Sequence, residues 1–209
     1  MSRDRLALEG PEGTLEAVLE GETETPAMIA IVCHPHPQFG GTMDNKVVTT
    51  LIRAARDAGA AALRFNFRGV GESQGAYSDG IGEVEDLIAV HRWLSKKYPG
   101  TSLWLAGFSF GSFVAARGAE VLAANGEAPA ALFLVAPPVH HYGFETIENV
   151  GCPVTVVQGE DDEVVPADKV FRWAESTALA PDLIRFPDSG HFFHGQLVNL
   201  REVASSRLP

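Results

Sequence analysis

A chain of 209 residues and 22.4 kDa, 45% hydrophobic and 21% charged, is long enough for one globular domain that buries about 70% of its unfolded surface. Its 27 acidic residues against 16 basic ones leave a net charge of −11, which argues against a nucleic-acid backbone or an anionic membrane as partner and suits a cytoplasmic protein acting on small neutral or cationic molecules. No apolar run reaches the roughly 18 residues of a membrane span, and the glutamate-rich first thirty residues carry no signal-peptide pattern.

Apolar runs alternate with longer helical patterns, the order expected of a mostly parallel sheet with crossover helices on both faces. Residues 5–9 and 14–20, on either side of Gly10-Pro11-Glu12-Gly13, predict an antiparallel hairpin. A fully apolar strand follows at 28–33, then a helix at 45–58 with Val47, Val48, Leu51, Ile52 and Ala55 facing inward and Gly59 as its stop. The next strand covers 61–67, and an amphipathic helix at 83–98 ends on Pro99-Gly100. Residues 102–106 read as a short buried strand and 112–124 as a mostly buried helix. Strands at 130–136, 153–158 and 183–186 and helices at 167–177 and 194–205 complete the pattern. Only sixteen residues, 137–152, separate two of these strands, too few for a cap, so an open pocket is expected. Trp93 and Trp104 read as core, Asp86 as exposed or ion-paired, and Cys33 and Cys152 as buried reduced thiols.

Between the strand at 102–106 and the helix at 112–124 stands Gly107-Phe108-Ser109-Phe110-Gly111. In a chain with 21 glycines the G-x-S-x-G pattern is cheap, and a second copy occurs at Gly71-Glu72-Ser73-Gln74-Gly75. Context separates them. Ser109 falls on a sharp strand-to-helix turn, where flanking glycines leave room and a strained backbone points Oγ outward. Ser73 is followed by loop. A serine hydroxyl needs a base within hydrogen-bond reach, and the base needs an acid to hold its tautomer. On a parallel sheet both come from loops at the carboxyl ends of later strands. Two such loops exist: 159–166, which carries Asp161 and Asp162, and 188–194, which carries His191 and His194.

These residues resemble the α/β-hydrolase superfamily, whose catalytic residues run Ser, then Asp or Glu, then His along the chain. Ser109, Asp162 and His191 follow that order. Gly159, Asp162, Val165 and Pro166 match the family's G-x-x-D-x-x-V-P, and Gly190-His191-Phe192 matches its G-H segment. Asp161 is then a turn residue, and His194 a solvated or capping one. The segment 34–46, His-Pro-His-Pro-Gln-Phe-Gly-Gly-Thr-Met-Asp-Asn-Lys, is similar to a small group of capless α/β-hydrolases, mostly assigned as predicted hydrolases or esterases. It stands where the family builds its oxyanion hole. Pro35 and Pro37 have no N–H, so the first donor is expected from His36 or Gln38, with His36 favoured by position. The second is expected from the Phe110 amide, next after the nucleophile.

The resemblance implies a capless α/β-hydrolase fold and a carboxylesterase-like serine hydrolase that cleaves small or medium acyl esters through an acyl-enzyme. It implies a small-molecule acyl substrate, no metal or organic cofactor, and a monomer or homodimer. Thioesters, lactones or peptide amides would use the same three side chains, and a catalytically silent binding module is the alternative from another class. Phe39, Phe108, Phe110, Phe192 and Phe193 crowd these positions in sequence, as core or as a wall for the acyl group. His140, with His141 and Tyr142, lines the pocket or lies in solvent. The stretch 68–75 lacks dinucleotide-loop spacing and resembles the family's R-G-x-G-x-S-x-G turn. The family often has Asp two residues before that Arg, where this chain has Asn66. The pairs His34/His36, His140/His141 and His191/His194 invite a metal reading, but His34-x-His36 lacks a following Asp-His and its prolines fix a turn rather than a ligand strand.

Overall fold

In the computed structural model, which describes residues 3–21 and 23–209, the hairpin β1 (Arg3–Gly10) and β2 (Gly13–Glu20) comes first. Then follow β3 (Met28–Cys33), α1 (Lys46–Asp57), β4 (Ala60–Phe65), α2 (Ile81–Lys97), β5 (Leu103–Phe108) and α3 (Phe110–Ala124). The chain closes with β6 (Ala131–Val135), β7 (Val154–Gly159), α4 (Ala167–Ser176), β8 (Asp182–Phe186) and α5 (Leu197–Ser205). All eight strands form one sheet in the order β1-β2-β4-β3-β5-β6-β7-β8. The hairpin is antiparallel, with Gly10 opposite Gly13, and β2 meets β4 antiparallel; every other neighbouring pair is parallel.

Strand periodicity sorts the core into two layers. Ile29, Ile31 and Cys33 of β3, with Leu103 and Leu105 of β5, face α2 and α3. Met28, Ala30 and Val32, with Trp104, Ala106 and Phe108, face α1 and α5. Both faces are covered, which is why the central strands are apolar throughout rather than alternating with polar residues. The chain winds from β3 outward to β4 and then crosses back to β5 on the other side of β3. The loops leaving the carboxyl ends of β3 and β5 diverge there, opening the crevice where sheets of this kind hold ligands.

Several boundaries differ from the sequence reading for local reasons. Helix α2 starts two residues earlier than expected, because the buried Glu83 carboxylate accepts from the amides of Gly80 (2.8 Å) and Ser78 (2.9 Å). Helix α5 starts at Leu197 rather than at 194, since Phe193 (φ 53°) and Gly195 (φ 77°) are left-handed and cannot be helical. Asp86 is buried and ion-paired with the equally buried Arg68. Trp104 is core, whereas Trp93 is only partly buried. Cys33 is buried as expected, but Cys152 is only half-buried; both are free thiols. The link between β6 and β7 adds only short turns, among them Phe144–Thr146, and no cap. Among the described residues no helix is long and apolar enough to cross a membrane.

Candidate active site

Ser109 sits between the end of β5 and the start of α3 with φ 54° and ψ −122°, a conformation that costs a non-glycine residue of order 1–3 kcal/mol. The strain is locked in by bonds on both sides. Its amide donates to the Val135 carbonyl (2.8 Å), and its carbonyl accepts from the Ser112 amide (2.8 Å) and hydroxyl (2.6 Å). Both glycines are sterically required. A methyl group at Gly107 would lie 2.1 Å from the Gly111 carbonyl oxygen, and one at Gly111 would lie 2.4 Å from that of Cys33. The turn therefore packs directly on β3, with Ser109 bordering the crevice.

His191 arrives from the loop after β8 and Asp162 from the loop after β7. Imidazole Nε2 lies 3.1 Å from Ser109 Oγ, and Nδ1 lies 2.9 Å from Asp162 Oδ2. The carboxylate can only accept, so Nδ1 carries the proton and Nε2 is left free to accept from the serine hydroxyl. Asp162 Oδ1 accepts from the amides of Val164 (2.9 Å) and Val165 (2.7 Å). Burial by itself would raise the Asp162 carboxyl, but the hydrogen bond and charge of His191 and the two valine amides hold it below the usual range. Two partners escaped the sequence reading. Gln158, fully buried at the end of β7, donates Nε2 to Asp162 Oδ2 (3.0 Å), and the Glu163 carboxylate accepts from the His191 amide (3.1 Å). A glutamine inside an apolar strand was the one visible sign of the first. Asp161 is exposed in the turn and His194 is exposed before α5; neither contacts the serine.

The loop after β3 closes into one tight turn, with the His36 carbonyl accepting from the amides of Phe39 (3.2 Å) and Gly41 (3.0 Å). His34 is fully buried. Its Nε2 accepts from the Phe67 amide (3.1 Å), so Nδ1 carries the proton and donates to the Pro35 carbonyl (2.6 Å). Burial lowers its pKa to about 4, opposed by the Pro35 bond. His36 Nδ1 accepts from the Gln38 amide (3.2 Å), which leaves Nε2–H to donate to Tyr77 Oη (3.1 Å). That bond corrects one expectation: the Gln38 amide is already committed and is not a free donor. Among the described residues no chain acceptor takes the amide of His36 or of Phe110, and both residues border the cavity at Ser109.

Two open cavities meet over Ser109. One, of about 380 Å³, is bordered by Pro35, Gly41, Asn45, His191, Phe192 and Phe39. The other, of about 230 Å³, is bordered by Phe110, Pro138, His140, His141, Tyr142 and Val165. Phe39, Phe192 and His140 thus stand at the pocket. Phe108 does not: it is fully buried, with its ring 5.0 Å from that of His191. It points to the α1 and α5 side of β5, supporting the imidazole from within the core.

The second G-x-S-x-G copy is a structural turn. Ser73 Oγ donates to the Asn66 carbonyl (2.7 Å) and accepts from the Glu16 amide (2.9 Å), tying β2 to the loop after β4. Asn66 Nδ2 donates to Glu16 Oε2 (2.7 Å), while Oδ1 accepts from the Met43 amide (2.9 Å). An aspartate could not do both, which explains the amide here. Among the described residues no three His, Cys, Asp or Glu side chains converge as metal ligands, and both ring nitrogens of His34 are taken by the backbone.

A protein-family model described as the alpha/beta hydrolase fold matches residues 35–151. An α/β serine hydrolase without a lid from Xanthomonas campestris is 39% identical with a TM-score of 0.90, over 99% of this chain and 93% of that one. An α/β serine hydrolase homologue from Coxiella burnetii is 41% identical with a TM-score of 0.91, over 100% and 99%. An uncharacterized protein of Rickettsia prowazekii is 39% identical over 165 residues, 77% of this chain and 68% of the relative. With the lidless sheet, the sharp turn at Ser109 and these matches in hand, the chain belongs to the α/β-hydrolase fold family.

Proposed function

We propose that the chain is a serine hydrolase of carboxylic esters, in which Ser109 is the nucleophile, His191 the general base and acid, and Asp162 the residue that holds the imidazole. The observation that carries this reading is the unbroken hydrogen-bonded path from Asp162 through His191 to Ser109, with steps of 2.9 and 3.1 Å. Ser109 Oγ attacks the ester carbonyl while His191 Nε2 takes its proton, and the buried carboxylate of Asp162 stabilises the imidazolium. The amides of Phe110 and His36 receive the developing oxyanion; each such donor is worth ~10²–10³ in rate. His191 then protonates the departing alcohol, and water resolves the acyl-enzyme by the same route in reverse.

The test uses p-nitrophenyl butyrate turnover and labelling by a fluorophosphonate. Ser109→Ala is expected to lower kcat at least about 10³-fold and abolish labelling while thermal stability is kept. Ser73→Ala is expected to retain labelling and most of the activity, with some loss of stability. Equal loss of activity in the two variants, each still folded, sinks the assignment.

A further inference from the structure

The two cavities over Ser109 contain different parts of the machinery: His191 borders only the larger one and Phe110 only the smaller one. Resting on the serine-hydrolase reading, we propose that the site is built for esters of a short acyl acid with a bulkier apolar alcohol, the alcohol seated against Phe39 and Phe192 and the acyl group between Phe110 and His140–Tyr142.

The chemistry fixes which side is which. In the tetrahedral intermediate the reacting carbon carries Ser109 Oγ, the oxyanion, the alcohol oxygen and the acyl carbon. Collapse breaks the bond to the alcohol oxygen, which leaves with its electron pair and takes the proton that His191 Nε2 received from Ser109. The alcohol must therefore lie in the cavity that His191 borders, and the acyl carbon is directed to the opposite one. Water then adds to the acyl-enzyme, giving the acid and the free serine, so the sum is ester plus water to acid plus alcohol.

The walls set the size and polarity of each part. The acyl side, at about 230 Å³, falls below the ~300 Å³ where small-molecule pockets usually begin. Its far wall is stiff, because the Tyr142 ring stacks on Phe113 (4.8 Å between centroids, 21° between planes) and meets Phe110 at 5.4 Å. The alcohol side, at about 380 Å³, is rimmed by Phe39, Phe192 and Val164, which are 86%, 40% and 50% exposed. These are half of the six large apolar side chains standing exposed among the described residues; Phe39 and Val164 border both cavities, and Phe192 borders only this one. An apolar alcohol would cover that patch and gain the area it removes from water.

Two ester series measured as kcat/KM test this. With 2-phenylethanol as the fixed alcohol, the rate is expected to fall at least about tenfold as the acyl chain grows from propanoyl to decanoyl. With propanoyl fixed, it is expected to rise at least about tenfold from ethanol to 2-phenylethanol, two alcohols of similar reactivity. His140→Ala is expected to shift the first profile toward longer chains, and Phe192→Ala to flatten the second. Preference for long acyl chains, indifference to the alcohol, or each substitution acting on the other series overturns the proposal. Labelling of Ser109 by a fluorophosphonate with no ester of either series turned over also overturns it, leaving the nucleophile in place. Absence of labelling overturns the underlying serine-hydrolase reading instead.

Discussion

Four donors converge on the Asp162 carboxylate, two on each oxygen: the amides of Val164 and Val165 on Oδ1, His191 Nδ1 and Gln158 Nε2 on Oδ2. An asparagine in its place has no good orientation. With its NH₂ toward the valine amides, donors face donors; with it toward His191, the ring must turn its unprotonated Nδ1 to that group and present Nε2–H to the serine. Asp162→Asn is thus expected to lower kcat by ~10⁴ through the wrong tautomer, whereas Asp161→Asn, in the exposed turn, changes it less than about threefold. Gln158→Leu removes one charge-assisted donor from the same oxygen and is expected to fall in between, at about tenfold. Steady-state kcat for the three variants on one ester checks the ranking; Asp161→Asn as the worst lesion would transfer the acid to the neighbouring residue.

At the scale of elements, β2, β4 and the loop after β3 are fastened together by side chains rather than by the ladder alone. Asn66 is the knot, donating to Glu16 and accepting from Met43 in the loop after β3. Asn66→Asp would set two carboxylates against each other across a 2.7 Å contact and is expected to cost about 1–3 kcal/mol at pH 7. Because one carboxyl can take a proton, the cost shrinks toward pH 5. Adding Glu16→Gln restores a donor–acceptor pair and should recover much of the loss. Urea unfolding of the single and double variants at both pH values checks this, and a pH-independent cost would show that charge is not its cause. The sequence made such elements legible wherever burial is two-sided: β3, β5 and β7 announce themselves as apolar runs, and the glycines around Ser109 mark the turn. It was silent on partners that cross between elements. Gln158 on β7 and Glu163 meet their partners through the fold-back of the loop after β7, which no spacing encodes, and Phe108, open between core and acyl wall in the sequence, lies in the core because neighbours in a strand point to opposite faces.

Considered as a whole molecule, the winding order does the work of convergence: the candidate nucleophile and base lie 82 residues apart along the chain, yet within one hydrogen bond. That long-range closure ties the site to global stability, and His34 is one titratable link in it. Its ring bridges the end of β3 and the segment after β4, accepting from the Phe67 amide with the nitrogen that a second proton would occupy. The unfolded chain protonates this histidine as pH falls through about 6.5, but the folded chain holds it neutral down to about 4. Between those values the unfolded state binds more protons, so stability is full above the upper limit and falls with added acid. From pH 7 to pH 5 the expected loss from this residue is about 2 kcal/mol. His34→Gln does not titrate and can keep the bond from the Phe67 amide, so its unfolding free energy should decline less over that interval, whatever its value at pH 7. Equal declines in the two proteins, measured by urea unfolding at each pH, would remove His34 as the source of acid sensitivity.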